Sequence, residues 1–262
     1  MTIDTRQITL DFPAIDEMSG VALIVYWSQM CPSRFLCDFS LIDTVVDYWS
    51  RRSKRVILGV ATVGYPILVN DEDSYETATP DWVLQDLRTY SSWASAIGSK
   101  GDRPYVYATF PSYGDPRFVD YVRDLVKRLA KYDGYLGISY VRISTGILTE
   151  DFPSFRGFKW EIAGFGDLKW LDYCRRIVDI YLAHFRRSAL EFDISYLSWA
   201  YVRGAPNVKA AVDQFIDYLI SKRIFLAYNG LSSDSLALLE HPDPKNGDWR
   251  SLYYIRRAVG RG

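Results

Sequence analysis

What the chain has little of narrows it first. It holds two histidines and three cysteines in 262 residues, and neither type recurs at the spacing of a zinc site or a CxxC redox pair. A metal centre built from them is therefore not expected. A Ser-His-Asp triad fails for a related reason, because His184 falls within a helical pattern and His241 precedes Pro242, so neither ends a strand. An excess of charge is also missing. With 31 basic and 32 acidic residues the formal net charge is −1, which offers no field to hold a nucleic acid backbone or an anionic membrane surface. No apolar run is long enough to span a bilayer, so a soluble protein is expected. Residues Met1 to Asp16 carry Asp4, Asp11 and Asp16 rather than a basic segment followed by an apolar one, and do not read as a signal peptide. The protein is expected either to stay where it is made or to be a processed secreted form. Three cysteines cannot all pair. Cys31 and Cys37, on either side of Pro32, form a local disulfide in an oxidising compartment or remain free thiols, and Cys174 reads as buried packing.

Aromatic residues are what the chain has in quantity. They make up 16% of it, with 20 Tyr and 8 Trp, and such side chains suit surfaces that are apolar on one face and hydrogen-bonding at the edge. Sugar rings have that character, although packing between helices and a sheet also consumes aromatics.

Along the chain, short β-branched runs alternate with helical patterns. Strands are expected at Val21 to Trp27, Val56 to Thr62, Tyr105 to Phe110, Ser139 to Ser144, Phe192 to Trp199 and Ile224 to Tyr228. Between them, helices are expected at Phe39 to Trp49, Asp81 to Ile97, Asp115 to Tyr132, about Leu168 to Arg187, and Val208 to Lys222. The third helix is the clearest, with Asp115-Pro116 at its start and Val119, Val122, Val126 and Leu129 opposite Arg123, Lys127, Arg128 and Lys131. After Asn229 come a short helix, Ser233 to Glu240, a turn region, and an amphipathic piece, Trp249 to Val259.

This order implies parallel strands joined by right-handed crossovers, with both sheet faces covered. Trp27-Ser28-Gln29-Met30 stands where a nucleotide-binding sheet carries its Gly-rich fingerprint, so an α/β barrel of the TIM type is favoured over a doubly wound sheet, and no cofactor is expected. A single domain over residues 1–262 is expected. Six strands are legible and a closed barrel needs eight. Either Gln7 to Phe12 adds a strand, or the barrel is incomplete, its C-terminal part truncated or atypical, and is closed by a helix, a partner chain or a second copy.

In such barrels reactive groups sit at the C-terminal ends of strands. The fourth strand leads through Arg142 to Glu150 and Asp151, and Glu150 is the candidate proton donor to a glycosidic oxygen; the plainer alternative is a solvated loop acid. Glycoside hydrolysis normally uses a second carboxylate. None stands out: Asp193 falls early in the fifth strand, near the barrel bottom, while Glu161, Glu72 and Glu76 are loop acids. Arg142, within a strand, either faces a pocket and contacts substrate or pairs with a buried acid. Trp27, Tyr65, Tyr113, Trp160, Trp199 and Tyr228 fall at or after strand ends and together form a candidate carbohydrate platform.

Residues Phe110-Pro111-Ser112-Tyr113-Gly114-Asp115-Pro116, then Tyr132-Asp133-Gly134, then Ile138 to Glu150 resemble the third and fourth β/α units of the large glycoside hydrolase clan that includes β-galactosidase-like and cellulase-like barrels. Trp49 before Lys54-Arg55-Val56-Ile57-Leu58 is similar to the clan's pattern after its first strand. The likeness is best over residues 21–150. It implies an O-glycosidase acting on a poly- or oligosaccharide with Glu150 as general acid/base; Gly146 and Glu150 match, while Thr149 replaces the clan's second Gly or Asn. The alternative is a degenerate barrel that binds glycan, or forms part of an assembly, without catalysis. An enzyme of small phosphorylated metabolites is disfavoured because no Gly-rich phosphate-gripping loop occurs near the last strands.

Overall fold

The computed structural model describes residues 19–68, 75–95, 105–149, 166–228 and 245–260. Its strands in chain order are β1 (Gly20–Tyr26), β2 (Arg55–Ala61), β3 (Ile67–Leu68), β4 (Tyr75–Glu76), β5 (Thr89–Ser95), β6 (Tyr105–Pro111), β7 (Ile138–Arg142), β8 (Ala189–Asp193) and β9 (Phe225–Ala227). The helices are α1 (Trp27–Met30), α2 (Ser40–Ser50), α3 (Asp81–Leu84), α4 (Pro116–Leu129), α5 (Asp167–His184), α6 (Ser195–Arg203), α7 (Pro206–Ser221) and α8 (Gly247–Val259).

Five strands form the main sheet in the order β1-β2-β7-β8-β9, every neighbouring pair parallel. Spatial order follows chain order without reversal, so right-handed crossovers carry all the connecting helices to one face. That is the winding of a barrel; a doubly wound sheet reverses its order at a switch point and carries helices on both faces. The helix-side face is continuous core. Leu23, Val25, Leu58, Val60, Val141, Ile143, Leu190 and Phe192 meet Val45, Val46 and Trp49 of α2 and the apolar stripes of α4, α5 and α7. On the opposite, inner face Ile24, Tyr26 and Ala61 form a separate small cluster with Ile67 and Ala78.

Helix α4 shows how local chemistry sets an element. Pro116 takes the first position, where no N–H is needed, and Asp115 caps the end through Oδ1, which accepts the Arg117 N–H at 3.0 Å. Oδ2 accepts the Arg88 N–H at 3.0 Å, so the same carboxylate ties the helix to the segment before β5. The Arg117 guanidinium, working against burial, and the two backbone N–H groups bring the Asp115 pKa down to about 2. Asp115→Ala is expected to cost about 1–2 kcal/mol at neutral pH by urea unfolding. Because the folded-state pKa is depressed, that stability is present above the ordinary carboxylate range and fades as pH falls from about 4 towards 2. The variant should lack that part of the acid slope.

Three expected elements differ. The helix predicted over Asp81 to Ile97 stops at Leu84 and is followed by β5, whose Thr89-Tyr90-Ser91-Ser92 is β-favouring and poor in helix formers. The third predicted strand, Tyr105 to Phe110, is a strand, but it pairs antiparallel with β5, so β2 lies directly beside β7. Its alternation explains why: Ala108 and Phe110 are buried while Tyr107 is exposed, and a strand with one wet face suits an antiparallel ribbon rather than a parallel sheet covered on both sides. The fifth strand is also shorter and earlier than expected, ending at Asp193, with Ser195–Arg203 helical. The expected strand Gln7 to Phe12 and helix Ser233 to Glu240 lie outside the described residues. Among the described residues, no helix is long and apolar enough to cross a membrane.

Candidate functional site

Strand register stacks the inner-face residues in layers. Ile24, Gly59, Arg142, Glu191 and Phe225 are register partners in one layer; Tyr26, Ala61, Asp193 and Ala227 belong to the next, at the carboxyl ends of the strands. Ser144, two residues beyond Arg142, reaches the same level and is fully buried, with its Oγ 3.4 Å from the Thr62 N–H it accepts.

Arg142 and Glu191 form an ion pair, Arg142 Nε donating to Glu191 Oε1 at 2.6 Å, with side chains 12% and 10% exposed. Of the two roles open to Arg142, the buried partner of an acid is the one seen, and Glu191 is that acid. Asp193 requires a correction. It ends β8 and so stands at the carboxyl end of the inner face rather than near the bottom, where its Oδ1 accepts the Ser195 N–H at 3.0 Å as α6 begins. An acid followed two residues later by Ser at the start of a helical spacing, Leu197, Ala200 and Tyr201, was the signal available for that boundary.

The chain leaving β7 returns over the inner face. Leu148 N–H donates to Val63 O at 3.0 Å, and both Leu148 and Thr149 have left-handed backbones, at φ 53° and 71°. For a β-branched residue this is a true outlier, costing on the order of 1–3 kcal/mol. Burial holds it there. Thr149 is fully buried, and a Cβ placed on Gly59 would lie 2.8 Å from Ile24 Cδ1 and 3.0 Å from Thr149 Cγ2, so the absence of a side chain at Gly59 is what admits the loop. The Thr149 hydroxyl finds no hydrogen-bond partner among the described residues, and neither does that of Thr62. Glu150, the next residue, lies outside the described residues, together with Asp151, Trp160, Glu161 and Glu72.

The described aromatics of the expected platform do not assemble into one cup. Trp27, 2% exposed, is packed edge-on to Trp82 at 5.9 Å and presents no ring face to a sugar. Tyr113 stands edge-on to Trp170 at 4.9 Å, and burial pushes its hydroxyl pKa well up. Trp199 lies on α6 instead of at a strand end, its ring so close over Gly247 that a Cβ there would come within 2.3 Å. Tyr65 and Tyr228 do follow the carboxyl ends of β2 and β9, both half-buried, and the Tyr65 carbonyl accepts the Tyr26 hydroxyl at 3.0 Å.

Among the described residues, one cleft at this end, of about 520 Å³, is bounded by Ser28 and Gln29 after β1 and by the segment from Tyr75 to Asp81. Three hydrogen bonds hold that segment along the strand ends: Ser28 Oγ donates to Thr77 O and Thr79 Oγ1 to Thr62 O, both at 2.6 Å, and the Ser28 N–H donates to Ala78 O at 2.9 Å. Glu76 and Asp81 bring exposed carboxylates to its wall. Pro32, also in the wall, belongs to a loop closed by the Cys31–Cys37 disulfide. With the paired positions only six apart in sequence, replacing both cysteines by serine should lower stability by about 2 kcal/mol, read as a lower melting temperature.

Among the described residues, a singly wound parallel sheet that begins at β1 and ends at β9, its helices on one side and its loops gathered over the carboxyl ends, settles the architecture. The fold is an incomplete (β/α) barrel. No protein-family model matches the sequence, and no curated protein matches it. Solved structures do share its fold. One is a β-galactosidase from Bacillus circulans sp. alkalophilus, 11% identical, with a TM-score of 0.50 over 87% of this barrel and 39% of that chain. Another is a GH10 endoxylanase retrieved from a sugarcane soil metagenome, 13% identical, with a TM-score of 0.51 over 98% of this barrel and 62% of that chain. The barrel thus spans less than two thirds of either protein, and at such identities the likeness is one of fold.

Proposed function

We propose that this incomplete barrel hydrolyses O-glycosidic bonds of a poly- or oligosaccharide, with Glu150 as general acid/base at the mouth. The observation that carries the reading is the strained Leu148–Thr149 pair, Thr149 fully buried and Leu148 half-buried. Two successive non-glycine residues in the left-handed region are retained at the carboxyl end of the sheet, immediately before that acid, and such strain accumulates where a group must be held in one place. Asp193, at the carboxyl end of β8 on the inner face, is the carboxylate proposed to act with it, as nucleophile or as base to a water.

A second reading has its own support. Trp27 and Tyr113 are spent on the core, Arg142 neutralises Glu191, and the cleft wall is open and mixes polar with apolar groups, an arrangement that serves binding without catalysis equally well. The two are separated by assaying wild-type protein against a broad glycan panel for both hydrolysis and affinity. Turnover that disappears in Glu150→Gln supports the hydrolase. Affinity without turnover across the panel supports the binding barrel.

A further inference from the structure

The β5–β6 ribbon, which occupies the place in the chain where a barrel would have its third strand, has two unlike faces. Ala108 and Phe110 turn one face into the core. The other carries the cross-strand pair Trp93 and Tyr107, 62% and 56% exposed, with ring centroids 5.6 Å apart and planes at 64°. Next along it the hydroxyls of Ser91 and Thr109, also directly paired, lie 3.1 Å apart. Thr89 completes a face on which no described side chain is charged. Two large rings held edge to face in water, each still more than half exposed, forgo the gain that burial would bring them, and a paired patch of this kind marks a contact surface.

The chemistry of the patch narrows its occupant. A polyanion or an anionic bilayer would call for Lys or Arg among the rings, and there are none on the described face. Indole and phenol faces beside paired hydroxyls match a neutral pyranose, whose C–H faces stack while its hydroxyls hydrogen-bond. The patch is also continuous with the cleft. Tyr75, which lines the cleft, donates its hydroxyl to the Tyr107 carbonyl at 2.5 Å, so one side chain joins the two surfaces.

The geometry points to a second saccharide-binding platform on this ribbon, Trp93 and Tyr107, that holds an extended neutral polysaccharide chain leaving the cleft past Tyr75. It rests on the carbohydrate reading of the barrel and deepens it, making a polymer rather than a short oligosaccharide the ligand. The test is affinity electrophoresis of wild type, Trp93→Ser and Tyr107→Ser through native gels containing xylan, β-1,4-galactan or hydroxyethyl cellulose. Wild type should be retarded by at least one polymer, and Trp93→Ser should weaken that affinity tenfold or more without lowering the melting temperature, since the ring is exposed. Unchanged retardation in both variants, or none for wild type in any gel, overturns the platform. A fall in sedimentation coefficient in Trp93→Ser also overturns it, since the patch would then join copies of this chain. Retardation needs no turnover, so the same gels run with Glu150→Gln keep the two proposals apart: full hydrolysis by that variant sinks the catalytic assignment and leaves the platform standing.

Discussion

Arg142→Ala is expected to lower stability by about 3–5 kcal/mol, because it strands the Glu191 carboxylate, 10% exposed, in the middle of the inner face. Assembling the pair costs desolvation of both ions, so its net worth is small; the loss comes from leaving one charge buried alone. A companion variant makes the argument testable. Arg142→Met with Glu191→Leu removes both charges while keeping much of the volume, and should recover most of the loss or exceed wild type. Urea unfolding of the three proteins checks this, and the single variant should melt roughly 10 °C lower. If Arg142 instead served mainly to contact substrate, the single change would raise KM on an accepted glycan and leave unfolding nearly untouched. The register supports the structural role: Arg142 lies one layer below Asp193, beside Gly59, with its guanidinium already engaged.

The parallel strands were legible because burial on both sides leaves a continuous apolar run, as in Val21-Ala22-Leu23-Ile24-Val25, which has no other short-range explanation. Helix α4 was legible for the complementary reason, a capping Asp, a first-turn Pro and a one-sided apolar stripe all agreeing. The ribbon was not, since Tyr105-Val-Tyr-Ala-Thr-Phe reads as a strand in either setting, and only its alternation separates a half-wet strand from a buried one. Asp193 was misplaced by a boundary error of a few residues, enough to move a carboxylate from the bottom of a barrel to its mouth. Site residues were less legible than the fold. Trp27 and Tyr113 follow strand ends in sequence, yet what decides whether a ring faces ligand or core is the packing of distant helices, here Trp82 of α3 and Trp170 of α5.

The strain at Leu148 and Thr149 links that packing to chemistry. A loop free to relax would move both residues out of the left-handed region and gain on the order of 1–3 kcal/mol for each. Thr149 stays because Gly59 leaves room for it and because Ile24 closes over the same spot. Gly59 therefore acts at a distance on whatever follows Thr149, a dependence that no pattern within residues 145–150 reveals.

Glu150→Gln follows from that arrangement as the change with the largest expected effect on rate. Amide for carboxyl keeps size and hydrogen bonding but removes the transferable proton, and general acid–base catalysis of this kind contributes about 10²–10⁴-fold. The variant should lose that factor in kcat on a glycan accepted by wild type, with melting temperature and glycan affinity within error of wild type. The pH profile gives a readout that mere damage to the fold would not. A proton donor must be protonated to act, so wild-type kcat/KM should fall on the alkaline side as Glu150 ionises, and the residual rate of Glu150→Gln should lack that limb. Gly59→Val supplies the positional control. Its side chain would occupy the space of Thr149 Cγ2 and Ile24 Cδ1, displacing Thr149 while leaving the Glu150 carboxyl in the sequence. Its kcat should fall at least tenfold while the alkaline limb persists at a shifted pH, because the same carboxyl still does the chemistry from a worse position. Full activity in Glu150→Gln, or a Gly59→Val protein that works as well as wild type, would remove the mouth of this barrel as the place where the bond is cut.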